Sequence, residues 1–285
     1  MYRETSTLSA LPAQLPPLAS SEALPFTVPA RHNPRLQALA ERINGDEELR
    51  QLWRCANVNA VERLGLGDCG EVHVRIVANA ALKLLRLLRD AGWPPSAVEH
   101  HRLSADDAEA VVVLAAALHD LDLAVGSGDQ PSGGMVLATL KGRELLAGLY
   151  GARERTILLA EALHAIGAQP AGVACLTLEA GLLRLADALD LAKGRVRMPA
   201  DPARGLIETV PVEEVSILKG KDPPVQVVIR LSQADGLRAV ETLLYHRLRG
   251  AGLEDQVAIA ARVDGLEGGR PHRLQVWDTP PARPA

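Results

Sequence analysis

The feature that most constrains this chain is the run over residues 111–118, apolar at every position and closed by His119 and Asp120. A helix without a polar stripe has to be enclosed by other elements. Ser104 supplies an N-cap for it, and Asp106, Asp107 and Glu109 place carboxylates at the positive end of its dipole. The rest of the chain offers the walls. Residues 71–90 set Val77, Ala80, Ala81, Leu84, Leu87 and Leu88 at helical spacing, with His73 on the apolar side, and Gly92 and Pro94 stop them. Asn33-Pro34 starts a helix to about Asn44, and Asp46 caps the next. Helices are expected near 135–150 and 152–168, separated from His119-Asp120 by a glycine-rich loop from Gly126 to Gly134. Thr177 caps another, which carries Asp187 and Asp190 and stops at Gly194. Aromatic residues make up 2% of the chain, so Leu, Ala, Val and Ile must fill the interior, which suits closely packed helices.

Beyond residue 205 the texture changes. Residues 212–218, 225–231 and 257–263 read as strands and 236–248 as a helix, a β-β-α-β appendage on a mainly α body. The reading is a flexible arm over 1–32, a helical body over 33–204, an α+β subdomain over 205–264 and a loose tail over 265–285. The subdomain is expected to supply no metal ligands. No stretch reaches about 18 uninterrupted apolar residues, so no membrane partner is expected. Cys55, Cys69 and Cys175 form no CxxC pair, which fits thiols in a reducing cytoplasm. A net charge of −4 argues against a general nucleic-acid-binding surface.

His73, His119, Asp120 and Asp187 lie on three predicted helices. Two imidazoles and two carboxylates make a shell suited to divalent manganese, iron, cobalt, nickel or zinc. Taken singly, a helical His or Asp usually packs or faces water. Among apolar neighbours, however, an unpaired carboxylate is costly to bury, which favours a bound cation at Asp120 and Asp187.

The segments Gly70-Glu71-Val72-His73-Val74-Arg75-Ile76-Val77-Ala78-Asn79, Leu114-Ala115-Ala116-Ala117-Leu118-His119-Asp120-Leu121 and Arg184-Leu185-Ala186-Asp187-Ala188-Leu189-Asp190 resemble the three metal-bearing helices of HD-superfamily phosphohydrolases. The resemblance covers roughly residues 50–200 and extends to the appendage of a bacterial and archaeal subgroup. It implies an HD-domain helical bundle and a phosphatase or phosphodiesterase that hydrolyses a phosphate ester, such as a nucleotide or cyclic nucleotide, through metal-activated water. It further implies His73, His119, Asp120 and Asp187 as metal ligands. Asp120 could also accept the proton of the attacking water.

The phosphoryl charge calls for cations. Lys193, Arg195 and Arg197 form a basic run that either binds phosphate or complements a helix dipole in solvent; Arg75 and Lys141 are weaker candidates of the same kind. His164 either donates a proton to the leaving oxygen or packs structurally. Two-ion relatives carry further histidines where this chain has Gly126, Asp129, Gln130, Ala168 and Gln169, so a single ion is expected. The competing reading is a catalytically weak HD-fold module that binds a nucleotide or a protein partner. Oligomeric state is left open.

Overall fold

A computed structural model describes residues 25–126, 132–191, 197–201, 206–209, 212–264 and 271–277. The chain is mainly α with a small C-terminal α+β part. Helix α1 (Pro34–Gly45) starts at Asn33, whose side chain accepts from the Leu36 amide at 2.9 Å. Asp46 caps α2 (Glu47–Val58), which runs on into a π-helical turn (Asn59–Arg63). Then follow α3 (Glu71–Asp90), α4 (Ser96–His101), α5 (Ala105–Leu118), α6 (Ser132–Leu146), α7 (Ala152–Gly167) and α8 (Leu178–Ala188).

Helix α5 is the axis. Ser104 and Asp107 close a capping box at its start, and every residue from Asp107 to Leu118 is buried. Helices α1, α3, α6, α7 and α8 pack around it. His119 and Asp120 therefore emerge where the enclosed helix ends. Behind them, α6 lies so close to the following turn that a Cβ on Gly134 would stand 2.4 Å from the Asp122 backbone, and one on Gly133 2.8 Å from Val125. The two glycines expected in a loop are thus the first turn of α6, placed there to allow close approach.

Strands β1 (Arg197–Asp201) and β2 (Leu206–Thr209) form a hairpin. Strands β3 (Val212–Lys219), β4 (Val225–Leu231), β5 (Val257–Val263) and β6 (His272–Arg273) form a sheet in that order. Strands β3 and β4 are antiparallel, and α9 (Gly236–Leu248) carries the chain across to β5, parallel to β4. Alternation puts Val225, Val227, Ile229 and Leu231 on the buried face, where they join the same core as the helices. Among the described residues no helix is long and apolar enough to cross a membrane.

Both expected loose ends are partly packed. Phe26, the chain's one phenylalanine, is buried against Trp53 at 6.1 Å between ring centroids, and its amide donates to Asn44 Oδ1 at 2.7 Å. At the other end Leu274 and Val276 are buried and Trp277 Nε1 donates to the Val257 carbonyl at 3.0 Å. In each case a few large apolar side chains offset the cost of ordering a proline- or glycine-containing segment.

The subdomain is bolted to the body. The buried guanidinium of Arg184 on α8 donates to the carbonyls of Ala168, Pro170 and Val173 and to that of Arg249, just past α9. Gly250, at φ +75°, sits so close that a Cβ would meet the Val173 carbonyl at 2.8 Å, and a Cβ on Gly181 of α8 would meet the Ala251 carbonyl at 2.4 Å. Only glycine fits at either point.

Candidate metal centre

Three helix ends bring the side chains together. His73 lies in the first turn of α3, His119 and Asp120 follow α5, and Asp187 is in the last turn of α8. Both imidazoles are buried. Ligand atoms of His73, His119 and Asp187 lie within 4.8 Å of one another, so these three could hold a metal ion. Asp120 joins them, with Oδ2 3.1 Å from His73 Nε2 and Oδ1 3.5 Å from His119 Nε2.

The protonation of each ring follows from its outer nitrogen. His73 Nδ1 is 2.8 Å from Asp190 Oδ2, and His119 Nδ1 is 2.8 Å from the Ala116 carbonyl. Carboxylate and carbonyl can only accept, so both Nδ1 atoms donate, and in the neutral rings both Nε2 atoms turn lone pairs inward. These two nitrogens are 3.0 Å apart. Asp120 Oδ2 is shut off from solvent and faces His73 Nε2. Two imidazole nitrogens and two carboxylates turned toward one point suit a cation between them. Donor atoms about 2.1 Å from one ion stand roughly 3.0–3.4 Å from adjacent donors. The separations 3.0, 3.1 and 3.5 Å, with His73 Nε2 to Asp187 Oδ1 at 3.4 Å, match; His119 Nε2 to Asp187 Oδ1, at 3.9 Å, is slightly longer.

The electrostatics agree. Burial alone lowers the pKa of His73, but hydrogen bonds to Asp120 and Asp190 and the nearby Asp187 charge overcome it and push the imidazole up to about 9. Burial likewise opposes ionisation of Asp120 and Asp187. The His119 and His73 rings nevertheless hold Asp120 well below the usual carboxylate range, and Arg247 with the same rings lowers Asp187. In a metal-free chain the proton on His73 is the cation the pocket attracts.

Other expected participants are placed differently. Lys141 is buried with its ammonium 2.8 Å from each of Asp46, Glu48 and Glu144, a knot that ties α6 to the start of α2 and leaves it no donor for phosphate. His164 Nε2 accepts from the Leu176 amide at 3.2 Å, so that nitrogen anchors the loop before α8. Arg75 lies about 200° around α3 from His73 at ~100° per residue, on another face. Lys193, Arg195, Asp129 and Gln130 fall outside the described residues, and of Arg197 only the backbone, in β1, is described.

Two residues were missed. Asp190 was visible in the Asp187 segment but carried no role, because its turn back toward α3 happens just after α8 ends. It is buried, and it fixes the His73 tautomer in the manner of a carboxylate–histidine–metal relay. Asp190→Asn is expected to weaken divalent-metal binding about 10- to 100-fold without removing a ligand; calorimetric titration of metal-stripped protein checks this, and unchanged affinity would deny Asp190 the role. The second is Arg247 on α9, whose Nη2 is 3.1 Å from Asp187 Oδ2. Nothing local in the sequence marks it, since the contact spans 60 residues.

No protein-family model and no solved structure matches the chain. Over 222 residues, 77% of this chain and 86% of the relative, it is 31% identical to the uncharacterized protein MJ1020 of Methanocaldococcus jannaschii. A likeness of that extent makes the chain a member of the family to which MJ1020 belongs.

Proposed function

We propose that the chain is an HD-type, metal-dependent phosphohydrolase that cleaves a small phosphate ester, nucleotide-like in the first instance, with one divalent transition ion held by His73, His119, Asp120 and Asp187. The observation that carries this reading is the pair of inward-facing Nε2 atoms 3.0 Å apart, each ring oriented by an acceptor on its Nδ1. Such an ion supplies Lewis acidity, lowering the pKa of water from 15.7 to roughly 7 in favourable sites and drawing charge from phosphoryl oxygens. The protein's part is positioning. Asp190 and the Ala116 carbonyl lock the two rings, Arg247 occupies Asp187 Oδ2 so that Oδ1 turns inward, and Asp120, ionised throughout the neutral range, would be the group to accept a proton from an attacking water once an oxygen faces it. Cys55, Cys69 and Cys175 remain thiols, in keeping with work in a reducing cytoplasm.

The test is elemental analysis of protein purified without chelator, followed by a panel of phosphomonoesters, diesters and nucleotides with added manganese, nickel, cobalt or magnesium. One equivalent of transition metal and metal-dependent phosphate release are expected. Stoichiometric metal with no hydrolysis of any ester would favour a binding module instead.

A further inference from the structure

We infer that Arg247, supplied by α9 of the C-terminal subdomain, anchors an anionic phosphoryl oxygen of the substrate beside the His/Asp cluster; this rests on the phosphohydrolase reading.

The argument begins with charge. Asp120, Asp187 and Asp190 bring three negative charges to the cluster once the imidazoles are neutral. A divalent ion leaves one negative charge in excess, and an anionic substrate would be repelled. Arg247, 3.1 Å from Asp187 Oδ2, offsets one of these negative charges. A guanidinium carries five N–H donors in a planar fork that matches phosphate oxygens. One nitrogen, Nη2, serves Asp187, while 42% of the side chain remains open to solvent, so donors are left for a ligand arriving from the open side.

The placement is built rather than incidental. Arg247 occupies the last turn of α9, beside buried Leu248 and two residues before Arg249, whose carbonyl is held by Arg184. Arg184 is itself one turn ahead of Asp187 on α8. The loop joins in, with the Cys175 amide donating to the Gly250 carbonyl at 2.8 Å and the Gly172 amide to the Arg249 carbonyl at 3.3 Å. The same clamp thus sets the helix that offers the carboxylate and the helix that offers the guanidinium. The expected basic run after α8 is not required for this: the phosphate cation comes from the subdomain.

The experiment titrates inorganic phosphate into the full chain, stripped of metal and reloaded with Mn2+, comparing the unaltered protein with Arg247→Ala and Arg247→Lys. Loss of a charge-assisted fork predicts phosphate binding weakened about tenfold or more in Arg247→Ala and less in Arg247→Lys. Mn2+ affinity is measured in the same preparations and phosphate is titrated at saturating Mn2+, so that any loosening of Asp187 is separated from loss of the phosphate anchor. Equal phosphate affinity in Arg247→Ala would overturn the inference. So would a phosphate defect that disappears once both variants are saturated with Mn2+, which would make Arg247 a residue that merely positions Asp187. An unaltered chain that takes up no Mn2+ would instead bring down the phosphohydrolase reading, and this inference with it.

Discussion

Metal-stripped protein carrying His119→Ala is expected to gain no stability from added Mn2+. The unaltered chain should gain about 2.7 kcal/mol at an ion concentration one hundred times its dissociation constant. The difference arises because an ion that binds only the folded state stabilises it in proportion to its affinity, and His119 supplies one of two inward Nε2 donors. Asp120→Asn should behave the same way, since an amide keeps the shape but gives up the charge that faces both rings. Either substitution also perturbs a buried cluster, so the informative quantity is the increment conferred by the ion, not the melting temperature alone. Lys141→Met is the matching control: it disrupts a buried ion-pair knot, lowers stability and leaves the increment intact. An undiminished Mn2+ increment in His119→Ala would show that the cluster is not where the ion sits.

The second large effect is a fall in the stability of the metal-free chain with rising pH, which the ion opposes. In the metal-free chain His73 has a folded pKa of about 9 against 6.5 for a free imidazole. A raised pKa stabilises the fold fully below the unfolded value and is lost as pH climbs through the folded one. Metal-free protein should therefore lose on the order of 3 kcal/mol between pH 6.5 and 9. Asp120 and Asp187, both lowered, act at the other end: their contribution is present above the ordinary carboxylate range and disappears on acidification. A bound ion takes the place of the His73 proton. Its increment should then grow from pH 6 to 8.5, as protons cease to compete for the imidazoles. Urea unfolding at a series of pH values, with chelator or with Mn2+, reads both slopes. An increment that stays flat across that interval would mean that no imidazole is displaced from its proton by the ion.

What could be read from the residues, and what could not, divides along a physical line. Helices α3 and α5 begin and end where local chemistry says they should, because Ser104 caps through its own neighbour Asp107 and Gly92 breaks the chain past α3. Strand β4 alternates cleanly because one face joins the core. By contrast α4 was not anticipated: its first amides, Ser96 and Ala97, are received at 3.2 and 3.0 Å by the carboxylate of Glu179, more than 80 residues away. The cap is tertiary, and Pro94-Pro95 in front of it reads as a loop. The four ligand candidates could be picked out because their residue types and order resemble a known pattern, and the fold brings all four side chains together. Asp190 and Arg247 were not, since a carboxylate behind an imidazole and a guanidinium behind a carboxylate leave no pattern in the chain, only contacts across 117 and 60 residues. Lys141 shows the converse: a lysine in sequence is an available cation, and only folding reveals that three carboxylates already hold it.

Arg184 carries an implication for how such a chain can be inherited. Its guanidinium grips backbone on both sides of residue 204, and Gly181 and Gly250 are matched to that grip. A gene truncated or recombined near that point would take the Arg249 carbonyl from a buried cation and open a seam along α8, next to Asp187. The helical body and the α+β appendage should accordingly travel through evolution as one cassette, with α8 and the end of α9 changing in concert and swaps between relatives tolerated only when both are exchanged together.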